Sequence, residues 1–184
     1  MKQLALAFAL GLMALFTPSA TAQPTTEGAV WMDDFDAAVK VAKEQNKHLL
    51  VDFTGSDWCG WCIKLHKEVF AHESWESAAT QEYVLVALDF PQGEEAKAKV
   101  PNPERNRELA GKYGVGGYPT ILLMTADGDV FGETGYQAGG PEAYLKHMAE
   151  LKEKGLPALQ EAIEMGKKFE AAEGEARVAV WNEV

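Results

Sequence analysis

The two cysteines of the chain, Cys59 and Cys62, are separated only by Gly60 and Trp61. They lie between an apolar segment and a stretch with helical periodicity, so both sulfurs can occupy the first turn of one helix and close a small ring reversibly. The unpaired N–H groups and partial positive charge at a helix N-terminus favour thiolate over thiol. The spacing therefore indicates a reactive dithiol in which Cys59 is the nucleophile.

Hydrophobic periodicity predicts the elements that position this pair. The predicted order is a helix over 31–46, a strand over 48–54, a helix over 59–70, a short helix around 75, a strand over 83–90, a solvated excursion over 91–106, a helix over 105–113, and strands over 120–125 and 130–134. A turn at Asp127-Gly128 makes the last two strands antiparallel, whereas the strand–helix–strand order makes the first two parallel. Pro141 begins a helix that we expect to end at Gly155.

The first 22 residues are typical of a secretory signal. Their apolar run, Leu4 to Phe16, is short for a membrane span, and Ala20-Thr21-Ala22 supplies a cleavage site. We expect cleavage after Ala22 rather than an uncleaved anchor, and a periplasmic or secreted protein without stable membrane insertion. The remaining predicted divisions are a flexible lead over 23–30, one domain over 31–155 and a C-terminal helical extension over 156–184.

Charge narrows the classes of partner. The chain has 17 basic and 28 acidic residues, a net charge of −11, and removal of the first 22 residues would take away one further positive charge, Lys2. Such a surface repels nucleic acid and anionic membranes, so neither is expected as a partner. The length suits one domain with a core of its own, and the placement of both thiols in one motif favours a chemical role over a scaffold role.

Three separated segments together resemble the thioredoxin superfamily: Val51-Asp52-Phe53, Trp58-Cys59-Gly60-Trp61-Cys62, and the run from Tyr113 to Thr120 that contains Tyr118-Pro119. The chain is similar to exported thioredoxin-like proteins with an Asp-Trp-Cys-x-x-Cys site, a group that includes the thioredoxin-like domain of periplasmic disulfide reductases. The resemblance covers roughly residues 31 to 152. It implies an α/β thioredoxin-like fold, with a central mixed sheet flanked by helices and the C-terminal helical extension.

The resemblance also implies an activity. We expect an exported thiol-disulfide oxidoreductase without a cofactor, which exchanges disulfides with protein substrates through Cys59 and Cys62, with Cys62 as the resolving thiol. Its partners would be protein thiols and disulfides together with a membrane-linked redox protein, whereas the direction of electron flow stays open. Pro119 is expected to be a cis-proline facing the dithiol, and the backbone of Tyr118 to pair with an extended peptide. Trp58 and Trp61 are expected to shield the nucleophile and to contact substrate.

Asp52 is expected to be buried with a raised pKa, because it interrupts an apolar strand. In similar proteins this position relays protons to the second cysteine. Two departures bear on that role: one extra residue separates Asp52 from Cys59, and Ala87 stands where thioredoxin has a lysine beside the carboxylate. A purely structural role, with Asp52 satisfied by the adjacent loop, is the alternative.

Two other classes of function compete with redox catalysis. Cys59, Cys62 and His66, with His72 nearby, could contribute to a metal site, but a structural zinc ion needs four ligands, usually from two separated pairs. We therefore expect no metal. A thioredoxin-like binding or assembly module without turnover is the other alternative, and the intact cysteines and the Pro119 segment argue against it.

Overall fold

The computed structural model describes residues 31–181, which are organised by a four-stranded mixed sheet. Its strands are β1 (His48–Thr54), β2 (Tyr83–Asp89), β3 (Thr120–Met124) and β4 (Val130–Thr134), arranged in the order β2-β1-β3-β4. β1 pairs with β2 in parallel and with β3 antiparallel, and β3 pairs with β4 antiparallel. The predicted strands and their pairing are confirmed.

Helices cover the sheet. They are α1 (Phe35–Gln45), α2 (Gly60–Leu65), α3 (Glu73–Glu82), α4 (Glu94–Lys97), α5 (Pro103–Lys112), α6 (Gly140–Ala171) and α7 (Gly174–Trp181). The predicted helix over 59–70 is divided, since α2 continues into one turn of π-helix, His66–Phe70. The solvated excursion predicted over 91–106 contains the short helix α4, and α5 begins at Pro103 rather than at the predicted residue 105.

The first helix is capped at both ends. Asp34 caps α1, and its Oδ1 accepts a hydrogen bond from the N–H of Ala37 at 2.8 Å. Asn46 ends the helix in a left-handed conformation, with φ at 53°, a region that Asn tolerates better than most residues. The chain then turns directly into β1.

Both faces of β1 are buried. Leu49, Val51 and Phe53 pack into a cluster with α1 and α5, whereas Leu50 packs into a second cluster that contains residues of α3, α6 and the π-helical turn. Side chains alternate along a strand, so Asp52 shares the face of Leu50. The Asp52 carboxyl is thus placed on the side of the sheet that α2 covers.

The prediction that Gly155 ends the last helix was wrong. α6 runs without interruption from Gly140 to Ala171, through both Gly155 and Pro157. A Cβ atom on Gly155 would lie 1.6 Å from the carbonyl oxygen of Phe131, so the absence of a side chain lets the helix rest directly on the backbone of β4. This glycine therefore serves a close approach, and a division of the chain between 155 and 156 would cut a continuous helix.

The first residues after Gly155 pack against the rest of the domain. Leu156 and Leu159 are partly buried against the cluster on the α6 side of the sheet. Further along, Phe169 contacts Trp181 of α7 with ring centroids 6.0 Å apart, whereas Val178 and Trp181 stay largely exposed. Between residues 31 and 181 no helix is both long and apolar enough to cross a membrane. The predicted signal over 1–22 and the lead over 23–30 lie outside the described residues.

Substitution of Gly155 tests the contact between α6 and β4. Gly155→Ala should lower the free energy of unfolding by about 1–3 kcal/mol, the usual cost of overpacking, because its methyl group must displace the β4 backbone. Gly166→Ala is the matched control in the same helix, since a Cβ there meets nothing within 4 Å. It should stabilise the protein by up to about 1 kcal/mol through helix propensity. Equal effects of the two substitutions in urea unfolding would contradict the proposed contact.

Candidate redox site

Cys59 and Cys62 are joined by a disulfide at the start of α2, with their Cα atoms 5.2 Å apart. Cys59 is the N-cap residue of the helix, and its Sγ accepts a hydrogen bond from the N–H of Cys62 at 3.2 Å. Both residues are buried, at 5% and 4% exposure. A backbone donor aimed at Sγ of Cys59 would stabilise this sulfur as a thiolate after the disulfide opens.

The loop before Cys59 is tied to the segment that follows β2. The N–H and hydroxyl of Ser56 both donate to the carboxylate of Asp89, at 2.9 and 2.5 Å. Asp57 accepts hydrogen bonds from the N–H groups of Gln92 and Gly93, at 3.0 and 2.7 Å. The backbone bonds hold the pKa of Asp57 below its usual value. These contacts hold the loop before Cys59 to the end of β2 and to the segment after it.

Asp52 is buried in β1, with 8% of its surface exposed. Its Oδ1 has no hydrogen-bond partner among the described residues. Burial raises the pKa of Asp52 to about 8, and the negative charge of Asp89 acts in the same direction. The strand register pairs Asp52 with Ala87 of β2, so no lysine stands at this position to favour the carboxylate. The expected burial and raised pKa are confirmed.

A cavity of about 460 Å³ lies between the sheet and the helix that carries the disulfide. Asp52 and Cys62 both line it, together with Ala87, Asp89 and Ser56. The buried carboxyl and the second cysteine therefore face a common space. The pairing of Ser56 with Asp89 was not identified from the sequence, since these partners are 33 residues apart.

Trp58 covers one side of the loop. Its Nε1–H donates to the carbonyl oxygen of Phe90 at 2.8 Å, and its ring meets that of Tyr118 edge-on, with centroids 5.7 Å apart. A Cβ on Gly55 would lie 2.6 Å from this indole, so the position under the ring requires glycine. Trp58 is still 41% exposed, and it thus combines a fixed orientation with an accessible face. Gly55 and Phe90 were not identified from the sequence.

The Tyr118–Pro119 peptide bond is cis and directly precedes β3. Thr120, the first residue of β3, pairs with Phe53 near the end of β1. The ring of Tyr118 also contacts Phe90, with centroids 5.2 Å apart. The sheet register therefore brings this segment to the end of β1 from which the redox loop departs.

Trp61 belongs to a second group of side chains on the surface. It is 58% exposed and packs against Tyr136, with ring centroids 5.2 Å apart. The Nζ of Lys64 lies 5.2 Å from the centroid of Trp61 and 4.7 Å from that of Tyr136, within the range of cation–π interactions. The hydroxyl of Tyr136 donates to Glu68 at 2.5 Å. Tyr136 and Glu68 were not recognised from the sequence, because their contact spans 68 residues.

The residues considered for a metal site do not form one. His66 lines the same cavity as Cys62, on the π-helical turn. Over residues 31–181, however, no group of three or more His, Cys, Asp or Glu side chains is placed to hold a metal ion. The arrangement suits thiol chemistry assisted by a buried carboxyl.

Residues 35–152 match the family of thioredoxin-like domains, and the chain belongs to this family. With its Cys59–Cys62 disulfide, it is a thiol-disulfide oxidoreductase of the protein disulfide oxidoreductase class. It is 30% identical to the disulfide bond reductase DsbH of Chlamydia pneumoniae over 125 residues, which cover 67% of this chain and 73% of that protein. It is 27% identical to the thioredoxin-related protein DsbJ of Chlamydia pneumoniae, over 86% of this chain but only 47% of the relative.

Solved structures of related proteins share the thioredoxin-like fold of this chain. A structure of a DsbH oxidoreductase superposes with a TM-score of 0.59 at 27% identity, over 73% of this chain and 92% of that one. A thioredoxin from Thermus thermophilus superposes with a TM-score of 0.52 over 69% of this chain and 90% of that one. Its identity of 17% supports the fold alone. The predicted thioredoxin-like fold and superfamily are confirmed.

Substitution of Asp52 tests the cost of the buried carboxyl. The pKa of Asp52 is about 8 in the folded protein and 3.8 ordinarily. Between pH 3.8 and about 8, the folded state therefore keeps a proton on Asp52 that the unfolded state releases. Stability should therefore decline as pH rises from about 4 to about 8. At pH 7, Asp52→Asn should raise the free energy of unfolding of the oxidised protein by about 2–4 kcal/mol. Urea unfolding at pH 7 and below pH 4 checks this, and a gain that persists at the lower pH would contradict the titration of Asp52 as its cause.

Proposed function

We propose that the protein reduces or exchanges disulfides of exported proteins, with Cys59 as the nucleophile, Cys62 as the resolving thiol and Asp52 as the group that exchanges a proton with Cys62. The observation that carries this proposal is the disulfide at the start of α2, which shares a cavity with a buried carboxyl whose pKa is about 8. A carboxyl with a pKa near that of a thiol can pass a proton in either direction at neutral pH.

The reaction follows from thiol chemistry. In the reduced protein the Cys59 thiolate attacks one sulfur of a substrate disulfide, and a mixed disulfide forms while the other substrate sulfur leaves. Cys62 then loses its proton to Asp52 and attacks the Cys59 sulfur, which releases the reduced substrate and restores the Cys59–Cys62 disulfide. The substrate gains two electrons that a reduced partner must later replace. The same steps in reverse would oxidise a substrate dithiol.

The substrate-contacting surface surrounds Cys59. Trp58 and Trp61 are both partly exposed and are held by Phe90 and Tyr136 respectively. The Tyr118–Pro119 segment lies beside Trp58, and we propose that its backbone pairs with an extended peptide next to the substrate disulfide. Rigid aromatic side chains of this kind contribute most of the binding energy in many protein interfaces.

The proposed setting is outside the cytoplasm. It is supported by the sequence of residues 1–22, which is typical of a cleaved secretory signal, and by the similarity to the DsbH disulfide bond reductase. A protein that reduces disulfides there needs electrons from within the cell, so we propose a membrane-linked redox partner. Because DsbH is a disulfide bond reductase, the similarity to it favours the reducing direction.

Substitution of each cysteine tests the assigned roles. Cys59→Ser should reduce the rate of insulin disulfide reduction to the uncatalysed level, because no nucleophile remains. Cys62→Ser should instead accumulate mixed disulfides with substrate proteins, which non-reducing electrophoresis and mass spectrometry detect. Full turnover by Cys59→Ser would refute the proposed function, and binding of protein without turnover by the wild type would favour a non-catalytic module.

Substitution of Trp61 tests the docking surface. Trp61→Ala should raise the KM for a protein disulfide roughly fivefold or more, as expected for the loss of about 1 kcal/mol or more of contact energy. Its rate of reduction by dithiothreitol should change little, because a small dithiol needs no docking surface. Trp181→Ala is the matched control, since Trp181 is 69% exposed but belongs to α7. If both substitutions change KM equally, Trp61 has no specific role in docking.

A further inference from the structure

A second carboxylate lies in the cavity beside the disulfide, and the reaction described above does not use it. Asp89 is the last residue of β2 and lies two positions after Ala87, so both side chains are on the same face of the sheet. Asp52 pairs with Ala87, and all three residues line the cavity together with Cys62. Asp52 is buried whereas Asp89 is half-buried, so the two carboxyl groups mark the inner and the outer part of this space.

Asp89 is held in a fixed position. Both of its carboxylate oxygens accept hydrogen bonds from Ser56, Oδ1 from the backbone N–H at 2.9 Å and Oδ2 from the hydroxyl at 2.5 Å. Hydrogen bonds to an ionised acceptor are stronger than those between neutral groups. Ala87, the β2 residue that pairs with Asp52, carries no positive charge that could offset the charge of Asp89. The longer redox loop therefore fixes a negative charge at the outer end of the cavity.

We propose that Asp89 is a positioning residue for the thiol-disulfide reaction: held by Ser56 at the outer end of the shared cavity, its negative charge adds to the burial of Asp52 in favouring a protonated Asp52 that can deliver its proton to Cys62. The inference rests on the proposed function. When a thiolate of a partner dithiol bonds to the Cys59 sulfur, the Cys59–Cys62 bond breaks and its electron pair goes to Cys62. The Cys62 sulfur takes the proton of Asp52, which becomes a carboxylate. The second thiol of the partner then attacks the partner sulfur of this mixed disulfide, and the electron pair of the broken bond goes to Cys59. The partner dithiol is thereby oxidised to a disulfide, and both cysteines of the redox pair are reduced.

Other charged or titratable groups face Asp52 from the elements packed against it. His66 and Lys67 of the π-helical turn line the cavity, but both are exposed, so solvent screens their charges. Tyr144 of α6 is buried and donates its hydroxyl hydrogen to the carbonyl oxygen of Gly135 at 3.1 Å. Burial and the Asp52 carboxylate raise the pKa of Tyr144, so this side chain stays neutral.

Asp89 is the charged group that raises the pKa of Asp52 in addition to burial. Because both carboxyl groups line the same cavity, the charge of Asp89 acts on Asp52 across that space. The hydrogen bonds from Ser56 keep the Asp89 carboxylate from turning away into solvent. Ser56 thus acts on Asp52 only through Asp89, whose carboxylate it holds in place.

The test is a titration of the Asp52 side-chain carboxyl carbon by NMR in the oxidised full-length protein, across neutral and alkaline pH. In Asp89→Asn the midpoint should move to lower pH, because the neighbouring negative charge is gone. Asp57→Asn is the matched control: Asp57 holds the same loop to Gln92 and Gly93 but does not line the cavity. Its midpoint should equal that of the wild type. An unchanged midpoint in Asp89→Asn, or an equal shift in Asp57→Asn, would overturn the inference.

A second variant and a rate measurement complete the test. Ser56→Ala removes the hydroxyl donor to Asp89 and should move the Asp52 midpoint to lower pH by a smaller amount. If Asp89→Asn does not fold, the Ser56→Ala midpoint tests the inference in its place, and an unchanged midpoint would overturn it. The rate of reduction by dithiothreitol, corrected for thiolate concentration, should begin to fall at lower pH in Asp89→Asn than in the wild type. An unshifted rate profile in a variant with a shifted midpoint would refute proton delivery. Turnover that survives Cys59→Ser would instead refute the proposed function, whatever the midpoint shows.

Discussion

The pairing of β1 with both β2 and β3 is the constraint on which the site depends. This central strand is buried on both faces, and its register fixes what stands beside each of its residues. Asp52 is thereby placed next to Ala87, and the end of the strand is brought to the start of β3, where Pro119 lies. A register shift by one residue would move Asp52 to the opposite face, away from the disulfide.

Hydrogen bonds tie the redox loop to the neighbouring strand and to the segment after it. Ser56 and Asp57 bind the end of β2 and the segment after it, and Trp58 binds the carbonyl of Phe90. Cys59 follows directly, so its sulfur is presented from a loop in which the side chains of the three preceding residues are all hydrogen-bonded. Burial of the Asp52 carboxyl, whose Oδ1 has no hydrogen-bond partner within residues 31–181, opposes folding, and the surrounding core offsets that cost.

The sequence was sufficient wherever local patterns decide the structure. The apolar strands, the hairpin at Asp127-Gly128, the cysteines at a helix start and the buried Asp52 follow from periodicity and spacing, or from a resemblance that three motifs support. It was insufficient where the cause is distant in the chain. Gly155 has the features of a helix end, and only the approach of the β4 backbone explains why the helix continues. The partnership of Ser56 with Asp89 is likewise a contact between separate elements, which no local pattern encodes.

The continuity of α6 sets a length scale for the molecule. Its 32 residues make a rod about 48 Å long, whereas β4, on which it rests, has five residues and spans about 17 Å. Most of the rod therefore extends beyond the strand that supports it. The helix continues through Pro157 and keeps its hydrogen-bonded rise per residue on both sides of it, so it acts as a spacer. Whatever adjoins the far end of α6 is kept at a defined reach from the disulfide rather than on a flexible tether.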